Sequence, residues 1–142
     1  MTIGRIIGGR DREVISCQAA TPVREAVHIL AEQRIGALPV LEGGAIAGIF
    51  SERDVIHQLQ KNGPGMLDRT VGEVMTAPAI TVTAETTVLE ALALMTRRRI
   101  RHLPVIEGAR IVGFVSIGDL VKHRIDNIQS EAEALKAYIQ SA

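Results

Sequence analysis

RIGALPVLEGGAIAGIFSERD, residues 34–54, is echoed further along the chain by RIRHLPVIEGARIVGFVSIGD, residues 99–119. Matched positions stand 65 residues apart: Pro39 with Pro104, Gly48 with Gly113, Asp54 with Asp119. The echo runs back without a gap through Glu25 and Glu90, Thr21 and Thr86, and Ile15 and Ile80. A fixed period of this kind sets the architecture, because each copy is one supersecondary unit that needs a neighbour to cover its apolar face.

Each unit reads β-α-β-β-α. A short strand, EVISC (13–17) or AITVT (79–83), leads into a helix. The apolar positions of that helix recur at helical spacing, in the first copy at Val23, Ala26, Val27, Leu30 and Ala31. Thr21-Pro22 predicts an N-cap followed by Pro at the first helical position, and Thr87-x-x-Glu90 a capping box. Two aliphatic strands follow at 37–41 and 45–50, turned by Gly43-Gly44; the second copy turns at Gly108. A last helix starts at Ser51 or Ser116. Units of about 45–50 residues cannot bury a sheet face alone. The fold class is therefore α/β of the α+β kind: two β-α-β-β-α repeats packed with pseudo-two-fold symmetry, two equivalent clefts between them, and a C-terminal helix.

Composition narrows the function classes. Sixteen Lys and Arg cancel sixteen Asp and Glu, so no net field draws the chain to nucleic acid or anionic lipid. Two Phe, one Tyr and no Trp leave few platforms for base stacking. The single cysteine, Cys17, forms no intramolecular disulfide, suits a reducing cytosol and reads as a small core residue. The start MTIGRIIGGRDRE carries charge where a signal peptide needs an apolar run, and no stretch approaches a membrane span. The expectation is a soluble cytoplasmic protein with no membrane partner. His28, His57, His102 and His123 lack ligand spacing, so no metal is expected, no obligatory cofactor, and no catalytic residue.

Ser51-x-x-Asp54 in GIFSERD is a capping box by itself. A helix start also offers N–H groups and a positive dipole end, which suit a phosphate. An ionised Asp in the first turn has about four lone-pair sites and can accept from two vicinal hydroxyls. Capping and ligand binding are compatible.

The arrangement resembles a tandem pair of cystathionine-β-synthase (CBS) domains, the Bateman module. The resemblance rests on ALPVLEGG…GIFSERD, HLPVIEG…GFVSIGD and the connecting VGEVMT (71–76), and covers roughly residues 14–62 and 71–125. It divides the chain into repeat 1 (14–62), a linker (63–75), repeat 2 (76–125) and a C-terminal helical extension (126–142). It implies a stand-alone regulatory module that binds adenine nucleotides between its repeats and signals by a change of shape or partner. The family pattern G-x-x-[S/T]-x-x-D falls on Gly48, Ser51 and Asp54, and on Gly113, Ser116 and Asp119. By resemblance the Asp holds the ribose hydroxyls, the Ser lies near the phosphate, and the base slips between segments of the other repeat. One cleft then pairs Ser51, Arg53 and Asp54 with Ile80, Thr81, Thr86, Ile100, Arg101, His102 and Pro104. Its twin pairs Ser116 and Asp119 with Ile15, Ser16, Thr21, Ile35, Gly36, Ala37 and Pro39. AMP, ADP, ATP, NAD(H) and S-adenosylmethionine all remain candidates, and the regulated partner is unnamed.

The two clefts differ in charge. Arg53, Arg101 and His102 in the first are matched by Gly118, Gly36 and Ala37 in the second, where Lys122 or a reach-over by Arg53 is the remaining source of cations. The Asp54 cleft is expected to be the tighter anionic site, the Asp119 cleft weaker, empty or used by a less charged group. Arg97-Arg98-Arg99 also suits a helix C-terminus by dipole alone. Beyond the repeat, Val121, Ile125, Ile128, Ala132, Leu135 and Ile139 form a heptad seam, from which a homodimer is expected. The competing readings are an enzyme, against which no nucleophile–base pair recurs, and a structural adaptor with vestigial clefts acting through the C-terminal helix.

Overall fold

The structure, a computed structural model, describes residues 1–8 and 13–141. Ala142, the last residue of the expected extension, lies outside them. The elements in order are α1 (Ile3–Ile7), β1 (Cys17–Gln18), α2 (Val23–Gln33), β2 (Ala37–Glu42), β3 (Ala45–Ser51), α3 (Glu52–Asn62), a 3₁₀ turn (Pro64–Asp68), α4 (Val71–Val74), α5 (Val88–Arg98), β4 (His102–Glu107), β5 (Arg110–Ser116) and α6 (Ile117–Ser141). The β-α-β-β-α order holds in the first repeat, the second keeps α-β-β-α with its leading strand reduced to one bridge, and the C-terminal helix is present. In each, an antiparallel hairpin turns through glycines at positive φ: Gly43 and Gly44 in the first, Gly108 in the second. The leading strands are shorter than their apolar runs suggest. EVISC contributes Cys17 to a parallel pairing with Val40, and AITVT contributes a single bridge from Val82 to Val105.

Two cores lie side by side and match position for position. Val23, Ala26, Leu38, Val40 and Phe50 fill the first; Val88, Ala91, Leu103, Val105 and Val115 fill the second. Cys17 occupies the place of Val82, and burial, with a smaller contribution from Glu25, pushes its thiol up to about 11. It is a core residue. Ala31, expected on the buried face of α2, is exposed. Thr21 is not the N-cap of α2; Pro22 is, and the Thr21 hydroxyl instead accepts from the Gln18 N–H to close the turn. The Thr87–Glu90 capping box forms as the sequence predicts.

The sequence reading missed α1. Ile3 is fully buried in the second core, where Val71 is buried in the first. The docking is the same at both places. The Ile3 and Gly4 N–H groups bond to the Thr86 and Ala84 carbonyls, as those of Val71 and Gly72 bond to Thr21 and Ala19. Gly4 and Gly72 both lie so close to an alanine that an added Cβ would sit 3.1 Å from Ala84 or 3.0 Å from the Ala19 carbonyl. The segment that precedes one repeat thus completes the core of the other, and the pseudo-two-fold relation extends to the N-terminus.

Candidate functional site: two inter-repeat clefts

Strand β3 delivers Ser51 to the start of α3, and the capping box forms there. The Asp54 N–H donates to Ser51 Oγ at 3.4 Å, and the Ser51 N–H donates to Asp54 Oδ2 at 2.9 Å. The other carboxylate oxygen, Oδ1, accepts from the Thr76 hydroxyl at 3.0 Å. Thr76 is itself fixed by a pair of 2.9 Å backbone bonds with Ile49. This close pairing explains the first residue of the motif: a Cβ on Gly48 would sit 2.6 Å from the Thr76 carbonyl oxygen. Asp54 is therefore oriented from two sides before any ligand arrives. The helix start is less open than the sequence argument assumed. The Glu52 N–H already bonds to the Gly36 carbonyl, and Ile117 bonds to Arg101 in the same way.

Ser51 and Asp54 stand on a crevice of about 400 Å³ between the repeats, within the range of small-molecule sites. Arg53, Ile80, Ile100, Arg101 and His102 line it as expected from the sequence. Thr81, Thr86 and Pro104 do not. The second crevice, about 930 Å³, is lined by Ser116 and Asp119 with Ile15, Ile35, Gly36 and Ala37; Ser16, Thr21 and Pro39 are absent from its wall. The omissions are twins, and the reasons are shared. Thr21 and Thr86 use their hydroxyls to accept from Gln18 and Thr83 in turns. Pro39 and Pro104 are buried within the inner strands β2 and β4. Ser16 and Thr81 each lie one residue beyond the last wall residue of the leading segment, Ile15 and Ile80.

Several wall residues escaped the sequence reading. In the first cleft these include Thr76, Glu52, Arg98 and Arg99; in the second, Ile7, Glu13, Arg34 and Phe114. Arg34 and Arg99 are twins at the C-caps of α2 and α5, and both adopt left-handed backbone, at φ 54° and 55°. That conformation costs an L-residue about 1–2 kcal/mol relative to the helical region. Both copies place a guanidinium there, facing a cleft. Among the described residues Arg34, and neither Lys122 nor Arg53, brings a guanidinium or ammonium group to the Asp119 cleft.

Among the described residues, Arg53, Arg98, Arg99 and Arg101 stand with Glu52 and Asp54 on the first wall, and Arg34 stands with Glu13 and Asp119 on the second. Arg53 Nη1 also donates to the Arg99 carbonyl at 3.4 Å, tying α3 of one repeat to the other. His102 belongs to both walls. Its ring stacks on Phe114, centroids 5.4 Å apart and planes 14° from parallel. Burial holds its pKa below the ordinary 6.5, Asp119 and Glu52 pull the other way, and Arg101 adds to the lowering.

Two symmetry-related crevices, each with a Ser–Asp helix start facing backbone of the other repeat, define a tandem-repeat module with a cleft on either side of the junction between its halves. The chain belongs to the CBS domain family, whose model matches residues 6–61 and 71–126. It is 41% identical over 129 residues to the mitochondrial CBS domain-containing protein CBSX3 of Arabidopsis thaliana, covering 87% of this chain and 63% of that one. Among solved structures, a protein with CBS domains from Burkholderia ambifaria superposes with a TM-score of 0.82 at 36% identity, covering 89% of this chain and 95% of the other. Two more distant pairs share the fold at 24% identity: CBSX2, solved with AMP (TM-score 0.74, 88% and 96% covered), and a CBS pair solved with 5′-methylthioadenosine and S-adenosylmethionine (TM-score 0.78, 89% and 98%). No helix among the described residues is long and apolar enough to cross a membrane.

Proposed function

We propose that this chain is a regulatory module, not an enzyme, that binds an adenine nucleotide in the Asp54 cleft. The observation that carries the reading is the Asp54 carboxylate, set by Ser51 and Thr76 at the mouth of a crevice with four guanidinium groups. The carboxylate suits a ribose diol and the guanidiniums a phosphate. A fold-mate solved with AMP supports the ligand class. Because both repeats contribute wall residues, a ligand between them favours one relative placement of the halves, which is the differential contact a switch requires. The Asp119 cleft, with one guanidinium group among its described wall residues, suits a less charged group. The reading includes a homodimer and, from the lone buried thiol, a reducing compartment such as the cytosol; the Arabidopsis relative is described as mitochondrial.

Calorimetric titration of ligand-stripped protein with AMP, ADP, ATP, NADH and S-adenosylmethionine tests this. Saturable binding of one adenine nucleotide, lost in Asp54→Ala, is expected. At 100 times its dissociation constant the ligand stabilises the fold by about 2.7 kcal/mol. No binding at millimolar concentration would leave the adaptor reading, which the exposed apolar stripe of α6 favours.

A further inference from the structure

We infer that the end of α6 pairs with the same helix of a second copy, parallel and in register, as a short two-stranded coiled coil. Helix α6 is 25 residues long, about 37 Å at 1.5 Å per residue. Its first turn is anchored by the buried Leu120 and by the Ser116 hydroxyl, which accepts from the Asp119 N–H. From residue 129 to residue 141 every side chain is exposed. A bare stretch of that length is marginal as an isolated helix in water, so its stability must come from burial elsewhere.

The sequence of the stretch says what covers it. Ile125, Ile128, Leu135 and Ile139 are 57%, 49%, 61% and 64% exposed, and with Ala132 they make one narrow stripe at alternating spacings of three and four. A stripe this narrow is a coiled-coil seam and not the broad face of a helix lying on a globule. Written as a heptad, Ile125, Ala132 and Ile139 take position a, and Ile128 and Leu135 take d. In the last heptad, Leu135 at d with Ile139 at a is the combination that favours two parallel strands, and the small Ala132 at a lets two helices approach closely. The rim then decides polarity: Glu131 falls at g and Lys136 at e. In a parallel, in-register pair each g residue faces the e residue five positions on in the other helix. Glu131 of each copy meets Lys136 of the other, twice by symmetry. An antiparallel pair matches g with g and e with e, so along the full stripe Glu131 would face Glu131 or Tyr138. The stripe is complementary to itself in one direction.

Sedimentation of the full chain, with three variants, tests this. The wild type is expected to be a dimer, and Leu135→Glu to weaken it at least tenfold with the helical circular dichroism of the globular part intact. Ala132→Cys is expected to cross-link rapidly under mild oxidation, since position a meets itself across a parallel pair; Cys17 is buried and does not compete. Glu131→Lys should weaken association, and Glu131→Lys with Lys136→Glu should restore it. A monomeric wild type would overturn the inference, as would a dimer indifferent to Leu135→Glu. Loss of the dimer in Leu135→Glu without cross-linking in Ala132→Cys would overturn the parallel arrangement.

Discussion

The Asp54 and Asp119 clefts share a backbone and differ in what decorates it. Both have the hairpin, the Ser–Asp helix start, the left-handed arginine and the glycine under an adjoining segment. They part at positions that line the first cleft and at their partners in the repeat: Arg53 against Gly118, Arg101 against Gly36, His102 against Ala37, Glu52 against Ile117. Shape is set by residues whose replacement would break the core or the turn, so both copies share it. Charge is set by side chains that project into solvent-filled space and carry little of the fold, and there the copies have diverged.

The sharpest way to break the comparison is to remove each carboxylate. A hydrogen bond to a charged group is worth about 1.5–3 kcal/mol, so losing two ribose contacts in Asp54→Ala should lower AMP affinity about 100-fold or more by calorimetry. Asp119→Ala should leave that isotherm within about threefold. Equal losses would mean the clefts are equivalent. Next, Arg101→Gly gives the first cleft the residue of its twin. It should weaken AMP about tenfold and adenosine hardly at all, because one charge-assisted contact to phosphate is lost. Gly118→Arg makes the reverse change in open space, where a Cβ meets nothing closer than Ser116 Oγ at 3.6 Å. In an Asp54→Ala background it should strengthen AMP at the second cleft a few-fold, and thermal unfolding should show about 0.5–1 kcal/mol of added stability from replacing a helical glycine.

The caps should not distinguish the clefts. Ser51→Ala and Ser116→Ala should each cost about 1 kcal/mol in urea unfolding, since both hydroxyls accept from the Asp N–H three residues on. The smallest effect concerns His102. Its folded pKa lies below 6.5, so the unfolded chain takes up the proton first. The neutral ring's contribution is intact above that pH and lost as pH falls through 6.5 and below. His102→Asn should flatten the dependence of melting temperature on pH between 7 and 5; an unchanged slope would mean that the ring is not desolvated.

Most of the architecture was legible because helical spacing, turn glycines and capping signatures are local, and the repeat states each of them twice. What escaped was non-local or out of register. TIGRII (2–7) matches TVGEVM (70–75), but 68 residues apart and not 65, so a search at the period of the clefts passes over it. Thr76 was visible within VGEVMT, yet nothing in spacing says that its hydroxyl reaches Asp54 across 22 residues. Arg99 was read as a charge at a helix end. Its twin Arg34, at the same φ, was the available signal that the position serves the clefts. The strand AITVT was overcalled because apolar alternation does not report whether a partner edge is long enough to pair.

The exchange of Ile3 and Val71 between cores bears on how such a chain could arise and how it comes apart. Each half carries, at its leading end, a piece that belongs to its sibling. A single ancestral half-chain would satisfy the same contacts by swapping leading segments with an identical copy, and fusing two such chains end to end would preserve every one of them. The corollary is practical. Neither half is a self-sufficient fragment, and shaving the first few residues should loosen the distant repeat, around Val88 and Leu103, before it disturbs the repeat that follows them in the chain.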